Sequence, residues 1–149
     1  MYDRILLPTD GSAGTRPTIE HAISLAENNG ATVYVLYVVD RRLSLAASKD
    51  TESDVMESLE RDGRHAVERV ANELEEAGIS YETAIREAVP HRGILSYARE
   101  KDVDIIVMGT HGKTGRDRLG NIGSVTQRVL DSEQWPVLVI NVGGDGESD

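Results

Sequence analysis

The sequence contains no cysteine, only three lysines among its 16 basic residues, and no long apolar run. The lack of cysteine excludes disulfide bonds, thiolate catalysis and cysteine-held metal ions. The four histidines are scattered and lack the close spacing of paired metal ligands. No run approaches the roughly 18 consecutive apolar residues that a membrane span requires, so we expect a soluble cytoplasmic protein.

Acidic residues dominate the charge of the chain. There are 26 acidic and 16 basic residues among 149, for a formal net charge of −10. Such a charge repels nucleic acids and anionic membranes, which are therefore not expected as partners. Two explanations of the acidity stay open, namely a high-salt cytoplasm and ordinary solubility charge. The length fits one domain over residues 1–142, followed by an acidic tail, residues 143–149, that we expect to be disordered.

Apolar runs and amphipathic segments alternate along the chain, which predicts five strands and four helices. The strands are expected at residues 5–7, 31–39, 81–88, 103–108 and 137–140, and the helices at residues 15–28, at 55–77, from Pro90 onward and around Val125, Val129 and Leu130. Residues 41–54 show no clear period, so a long mobile connection is expected there, its length hinting at function.

The alternation of strands and helices predicts an α/β fold, a doubly wound five-stranded parallel sheet with helices on both faces. Ligands of such sheets bind outside the carboxyl ends of the strands, where the direction of winding reverses. This rule directs attention to two loops, residues 8–12 and residues 109–124.

The second loop is rich in glycine and positive charge. Five glycines fall within the fifteen residues 109–123, and Lys113 and two arginines make this the most basic stretch of the chain. Glycine permits positive φ and lets backbone N–H groups approach an anion closely. Ser124 and Val125 would add free amides at the start of the next helix, where the helix dipole favours negative charge. The loop therefore predicts an anion site.

Gly112, Lys113 and Thr114 invite comparison with the nucleotide-binding P-loop, whose pattern needs a glycine five residues before its second glycine. That position is Val107, within an expected strand. The P-loop and the magnesium-assisted phosphoryl transfer it implies are therefore excluded. His111 has no evident partner for acid–base chemistry, and we assign no catalytic residue.

Three separated segments carry a family resemblance. Ile-Leu-Leu-Pro-Thr-Asp-Gly-Ser at residues 5–12, Val-Leu-Tyr-Val-Val-Asp at 35–40 and the strand, loop and helix at 108–125 resemble the universal stress protein family, over almost the whole chain. The resemblance implies a Rossmann-like fold of the adenine nucleotide alpha hydrolase-like type. In nucleotide-binding members, the phosphate loop is glycine, two residues, glycine, nine residues, glycine and serine or threonine. Gly109 and Gly112 fit, but ten residues, 113–122, precede Gly123 and Ser124, one more than the pattern.

Carried over to this sequence, the resemblance implies a nucleotide site with Asp10 facing the nucleoside and Val38 and Met108 offering apolar surface to the base. With Lys113 added from the basic loop, the candidate residues are Pro8, Thr9, Asp10, Val38, Met108, Gly109, Gly112, Lys113, Gly123, Ser124 and Val125. Plainer roles stay open for some of them. Asp10 could cap the first helix, Val38 and Met108 could be core residues, and Lys113 could be a solvated charge.

The last strand follows Pro136 and is expected at the edge of the sheet. Its residues Val137, Leu138, Val139 and Ile140 could pair with a second copy of the chain, as is common in the resembled family, or be shielded by the acidic tail. We therefore expect a homodimeric stress-response regulator that binds an adenine nucleotide, ATP, ADP or AMP, with Mg²⁺ left open and at most slow ATP hydrolysis. The alternatives are a dimeric scaffold that binds no nucleotide and, ranked last, a slow nucleotide hydrolase.

Overall fold

The structure, a computed structural model, describes residues 1–12, 15–45, 50–110 and 123–142. Within these ranges it contains five strands and five helices. The strands are β1 (Arg4–Pro8), β2 (Thr32–Asp40), β3 (Ser80–Ala88), β4 (Ile105–Gly109) and β5 (Val137–Ile140), and the helices are α1 (Thr15–Asn29), α2 (Arg41–Leu45), α3 (Glu52–Glu76), α4 (Pro90–Lys101) and α5 (Ser124–Asp131).

The five strands form one parallel sheet in the order β3-β2-β1-β4-β5. Winding starts at β1, runs outward through β2 to β3, and then returns to the other side of β1 for β4 and β5. The reversal therefore lies between β1 and β4, whose carboxyl ends carry the two loops that the sequence indicates. The doubly wound parallel fold predicted from the sequence is confirmed.

The core consists of two apolar layers, one on each face of the sheet. One layer contains Ile19 of α1 and Val70 of α3, and the other contains Ile94 of α4 and Val129 of α5. We call these the α1/α3 face and the α4/α5 face. Right-handed crossovers account for this division, because the direction of travel across the sheet changes after β3.

The segment at residues 41–54 is more ordered than its lack of period predicts. It begins with α2, because Asp40 acts as the N-cap: its Oδ1 accepts the backbone N–H of Arg42 at 3.0 Å. It ends within α3, whose first turn carries Glu52 and Asp54, favourable charges at a helix N-terminus. The expectation of a mobile connection through residues 41–54 is therefore wrong for both ends of the segment. Residues 46–49 lie outside the described structure.

Other element boundaries agree with the sequence to within two residues. β4 begins at Ile105 rather than at Val103, although Val103 is buried in the core as its apolar character predicts. β5 spans the four residues expected and lies at the edge of the sheet. The acidic tail, residues 143–149, lies outside the described structure, so its expected disorder stays a prediction.

Candidate functional site

Three of the candidate apolar residues lie side by side on the α4/α5 face. Side chains alternate between the two faces of a strand, and Leu6, Leu36 and Ile106 all pack in the α4/α5 layer. Pro8, Val38 and Met108 each follow one of them by two residues, so they share that face at the carboxyl ends of three adjacent strands. Met108 is 6% exposed and also has the packing role that the sequence left open, whereas Val38 is only half-buried.

Val38 directs its backbone N–H and C=O toward a side of β2 that has no neighbouring strand at this level among the described residues. The pairing of β1 with β2 ends at Pro8 and Leu36, where the Thr9 amide donates to the Leu36 carbonyl at 2.9 Å. In a parallel ladder, every second residue directs both its N–H and its C=O toward the same neighbour. The N–H and C=O of Val38 therefore face the β1 side beyond the end of β1, where they form an adjacent donor and acceptor beside an apolar surface.

The residues after β1 form a tight polar turn. The Asp10 carboxylate accepts the Ser12 N–H at 2.9 Å, and Gly11, with φ of 81°, donates its N–H to Thr9 Oγ1 at 3.1 Å. The positive φ explains why glycine occupies position 11. Because α1 begins only at Thr15, Asp10 is not its N-cap, and among the described residues only its Oδ1 accepts a hydrogen bond in the turn.

Helix α3 supports this turn from the α1/α3 face. Arg69 Nη1 donates to the Gly11 carbonyl at 3.3 Å. The Tyr37 ring lies so close to α3 that a Cβ on Gly63 would be 2.7 Å from Tyr37 Cδ1. Burial raises the pKa of the Tyr37 phenol, and the negative charges of Asp62 and Asp10 raise it further. Tyr37 thus lies between α3 and the Asp10 turn and stays uncharged at neutral pH.

The start of α5 supplies the amides that the sequence assigns to phosphate. The first helical bond runs from the Gln127 N–H to the Gly123 carbonyl at 2.9 Å, so the amides of Ser124 and Val125 precede any helical acceptor. The Gly123 amide differs, because it donates to the Thr110 carbonyl at 2.6 Å. In this structure Gly123 therefore serves as the N-cap residue of α5, and the amide donors of this turn are those of Ser124 and Val125.

Further hydrogen bonds fix the two ends of the glycine-rich loop. Thr126 Oγ1 donates to the Gly109 carbonyl at 2.8 Å, which joins α5 to the end of β4. Thr110 donates its N–H to Ile140 at 2.9 Å and accepts the Val142 N–H on its Oγ1 at 3.1 Å. Residues 111–122, which include Gly112 and Lys113, lie outside the described structure.

Gly109 lies in a crowded place. A Cβ there would be 3.2 Å from Thr18 Oγ1 and 3.3 Å from a methyl group of Val142. Thr18 is 2% exposed, and its hydroxyl has no hydrogen-bond partner among the described residues. Close approach of α1 and of the segment after β5 therefore explains a glycine at this strand end, in addition to any role toward an anion.

Positive charges surround the mouth of the α4/α5 face. The pKa of His91, at the start of α4, is lowered by burial and then by the charges of Arg128, Arg92 and Arg42. Arg42 is itself held by Asp40 through Nε at 2.9 Å and Nη2 at 2.8 Å. The start of α4 is thus a locally positive corner in an acidic protein.

Two other kinds of feature are absent from the described residues. No three histidine or acidic side chains come together as a possible metal centre in the part of the chain that the structure describes. No helix within those residues has the length and apolar character needed to cross a membrane.

Sequence reasoning missed several residues that shape this site. Thr110 and Thr126 fix the base of the loop, and Tyr37 and Arg69 support the Asp10 turn. The contact between Tyr37 and α3 had one sequence signal, which is Gly63 in the middle of an amphipathic helix. An interior glycine lowers helix stability and therefore suggests close packing at that position.

Comparison with known proteins agrees with this architecture. Residues 1–141 match the model of the Universal stress protein family. Universal stress protein MJ0531 of Methanocaldococcus jannaschii is 39% identical over 142 residues, covering 94% of this chain and 82% of that one. The solved structure of MJ0577 superposes with a TM-score of 0.84 at 32% identity, covering 95% of this chain and 96% of the other. UspA of Lactobacillus plantarum superposes with a TM-score of 0.81 at 27% identity, covering 93% and 97%.

Proposed function

The chain belongs to the universal stress protein family, and from this premise we propose that it binds an adenine nucleotide, with ATP as the leading candidate, and acts as a homodimeric stress-response regulator in the cytoplasm. The observation that carries the proposal is the row formed by Pro8, Val38 and Met108 beside the open backbone of β2. The first turn of α5 begins at the same end of the sheet.

The row offers what a purine base requires. Adenine is flat and apolar on its faces, and its Watson–Crick edge presents a donor amine next to an acceptor nitrogen. In the proposed complex the base lies over the side chains of Val38 and Met108. Its edge pairs with the C=O and N–H of Val38, which face the same gap.

The ribose and phosphates follow from the neighbouring groups. Asp10 uses Oδ1 to accept the Ser12 N–H, which leaves Oδ2 to accept hydrogen bonds from ribose hydroxyls. The phosphates take the amides of Ser124 and Val125 and the Ser124 hydroxyl at the positive end of the α5 dipole. The proposal also includes Gly109, Gly112, Gly123 and Lys113, and leaves Mg²⁺ as a possible companion of the phosphates.

Two solved relatives of the same fold support the choice of ligand class. One is a universal stress protein in complex with cAMP, at 19% identity and a TM-score of 0.71. The other, from Arabidopsis thaliana, has AMP bound, at 18% identity and a TM-score of 0.64. At these sequence identities the likeness shows the fold alone, and no residue roles are transferred from it. The nucleotides in the two structures support an adenine nucleotide as the ligand here over the alternative of a scaffold without a ligand.

The proposed dimer uses β5, which has β4 on one side and no strand on the other. Leu138 is 36% exposed on this short apolar edge strand. An unpaired edge offers backbone N–H and C=O groups to a second copy, and a two-fold axis would bring Leu138 of each copy near the same edge.

Calorimetric titration of ligand-stripped protein with ATP, ADP and AMP tests nucleotide binding. The key variant is Ser124→Glu, because a carboxylate at the start of α5 complements the helix dipole but repels phosphate. Its ATP affinity should fall about tenfold or more while its unfolding free energy is maintained. Gln134→Glu, which adds the same charge away from the site and keeps the acceptor for Arg99, is the control. Absence of binding of all three nucleotides by the wild-type chain would leave the scaffold as the function.

A further inference from the structure

A cavity lies on the β3 side of α4, toward the outer edge of the sheet. Its volume is about 310 Å³, and its lining comes from the end of β3, from one face of α4 and from the start of α2. None of the proposed nucleotide-contacting residues that the structure describes lines it. Ligand pockets in proteins range from about 300 to 1,000 Å³, so this cavity suits a small metabolite rather than a second nucleotide.

The charge of the lining is predominantly positive. Arg41, Arg86 and Arg92 contribute to it, against Glu87 and Glu100. The side chain of Glu87 belongs to the opposite face of the sheet by strand alternation, since Ile85 packs in the α1/α3 layer. Among the described lining residues, Glu100 is the one carboxylate placed on the cavity side, against three arginines.

The three arginines are not equivalent. Arg86 is already neutralised, because Nη2 contacts Glu100 Oε2 at 3.1 Å and the guanidinium lies 5.0 Å from the centre of the Tyr97 ring. Among the described residues, Arg92 makes no ion pair and no side-chain hydrogen bond, although it lies at the edge of the same cavity. Its charge therefore stays available to a ligand in a protein whose overall charge is −10.

The neighbouring histidine indicates the same local field. The pKa of His91 is lowered by burial and by the charges of Arg128, Arg92 and Arg42. Asp40, from the end of β2, offsets only Arg42, which it holds at 2.8 Å. The corner formed by α2 and the start of α4 is therefore positive in a chain whose net charge is −10.

We propose that this cavity binds a small molecule bearing an oxyanion group, phosphate or carboxylate, with Arg92 as the principal ligand and Arg41 at its side. Guanidinium groups pair with such groups through two parallel N–H donors. The Ser96 hydroxyl provides a further polar contact for the rest of the molecule. Because Gly93 lines this cavity and also contacts Val38, the ligand would act on the same helix that closes over the proposed base surface.

Titrations followed by ¹H–¹⁵N NMR test the proposal on the full chain at constant ionic strength. The probes are inorganic phosphate and succinate, and the reporters are the amides of Gly93 and Ser96 and the side-chain N–H of Arg92. Saturable shifts with phosphate alone would indicate a ligand that bears phosphate. Saturable shifts with succinate alone would indicate a ligand that bears carboxylate. Arg92→Gln should weaken the binding roughly tenfold, the effect of losing a charge-assisted hydrogen bond.

Arg99→Gln is the matched control, because Arg99 lies on the same helix but contacts Gln134 and the Trp135 ring instead of the cavity. Its binding should equal that of the wild type. The proposal would be overturned by shifts that never saturate with either probe, or by shifts that appear only at Ser124 and Val125. Equal loss of binding in Arg92→Gln and Arg99→Gln would also overturn it. Ser124→Glu should retain the shifts at Ser96, which separates this site from the nucleotide site.

Discussion

The Gly123 amide donates a 2.6 Å hydrogen bond to the carbonyl oxygen of Thr110. The segment between them, residues 111–122, therefore leaves and rejoins the described structure at one place. This segment holds the additional residue that separates the chain from the spacing of nucleotide-binding members. The contact between Thr110 and Gly123 fixes both ends of this segment, and Gly109 and Ser124 lie next to those ends. This contact supports the proposal of a nucleotide site over that of a scaffold.

Thr126→Val tests the hydrogen bond that joins α5 to β4. The substitution keeps the shape of the side chain but leaves the Gly109 carbonyl without its donor, which should lower the unfolding free energy by about 1–2 kcal/mol. ATP affinity should fall as well, because the first turn of α5 loses its anchor. Urea denaturation and calorimetry measure the two effects. Thr126→Ser retains the hydroxyl and should behave like the wild type in both, and equal losses in the two variants would contradict this role.

Gly93→Ala tests the contact between α4 and the proposed base surface. A Cβ at this position would lie 3.0 Å from both methyl groups of Val38, so α4 must move or the valine must turn. Overpacking of this kind costs about 1–3 kcal/mol, against about 1 kcal/mol gained from the helix propensity of alanine. ATP and AMP should lose affinity by the same factor, because they share the base.

The double variant Val38→Ala with Gly93→Ala provides the matching control. Removing the valine methyl groups makes room for the new Cβ, so the two stability effects should not add in thermal denaturation. Simple additivity of the two substitutions would show that α4 does not press on Val38.

The lowered pKa of His91 predicts a dependence of stability on pH. In the unfolded chain, the histidine takes up a proton near pH 6.5, before the folded protein does. The contribution to stability is complete above that pH and is lost as the pH falls from 6.5 toward the folded pKa. His91→Gln should reduce the slope of unfolding free energy against pH in this range, and Arg128→Gln should reduce it partly. Identical slopes in all three proteins would refute the assignment.

Leu138→Glu tests the proposed dimer. A charge on the exposed edge of β5 opposes pairing with a second copy, so light scattering after size-exclusion chromatography should change from twice the 16.3 kDa chain mass to the single mass. Leu45→Glu, which changes a leucine that is 65% exposed on α2, should stay dimeric. A wild-type mass of 16.3 kDa would remove the dimer from the proposal.

The fold followed from the sequence because each element carried a local signal. Runs such as Ile105, Ile106 and Val107 predict buried strands, and the order of strands and helices leaves few right-handed arrangements. The segment at residues 41–54 was misinterpreted because α2 is only five residues long, too short to show an amphipathic period. Its one signal was the capping residue Asp40.

The candidate site was only partly readable from the sequence. Pro8, Val38 and Met108 were found through family motifs, and strand alternation then explains their common face. The contacts of Tyr37 with Gly63 and of Arg69 with Gly11 join residues far apart in the chain, and no local pattern encodes them. Gly123 has a recognisable position, but the pairing of its amide with Thr110 depends on where β4 and α5 lie in space.

Thr110 takes part in two contacts that serve different ends of the molecule. Its carbonyl holds the Gly123 amide at the entrance to α5, and its hydroxyl holds the Val142 amide just past the edge strand. A displacement of Thr110 would therefore alter both hydrogen bonds. Thermodynamic linkage requires such a coupling to be reciprocal. Under the proposed function, any coupling that Thr110 carries between nucleotide binding at α5 and dimer contact at β5 would therefore be equal in both directions.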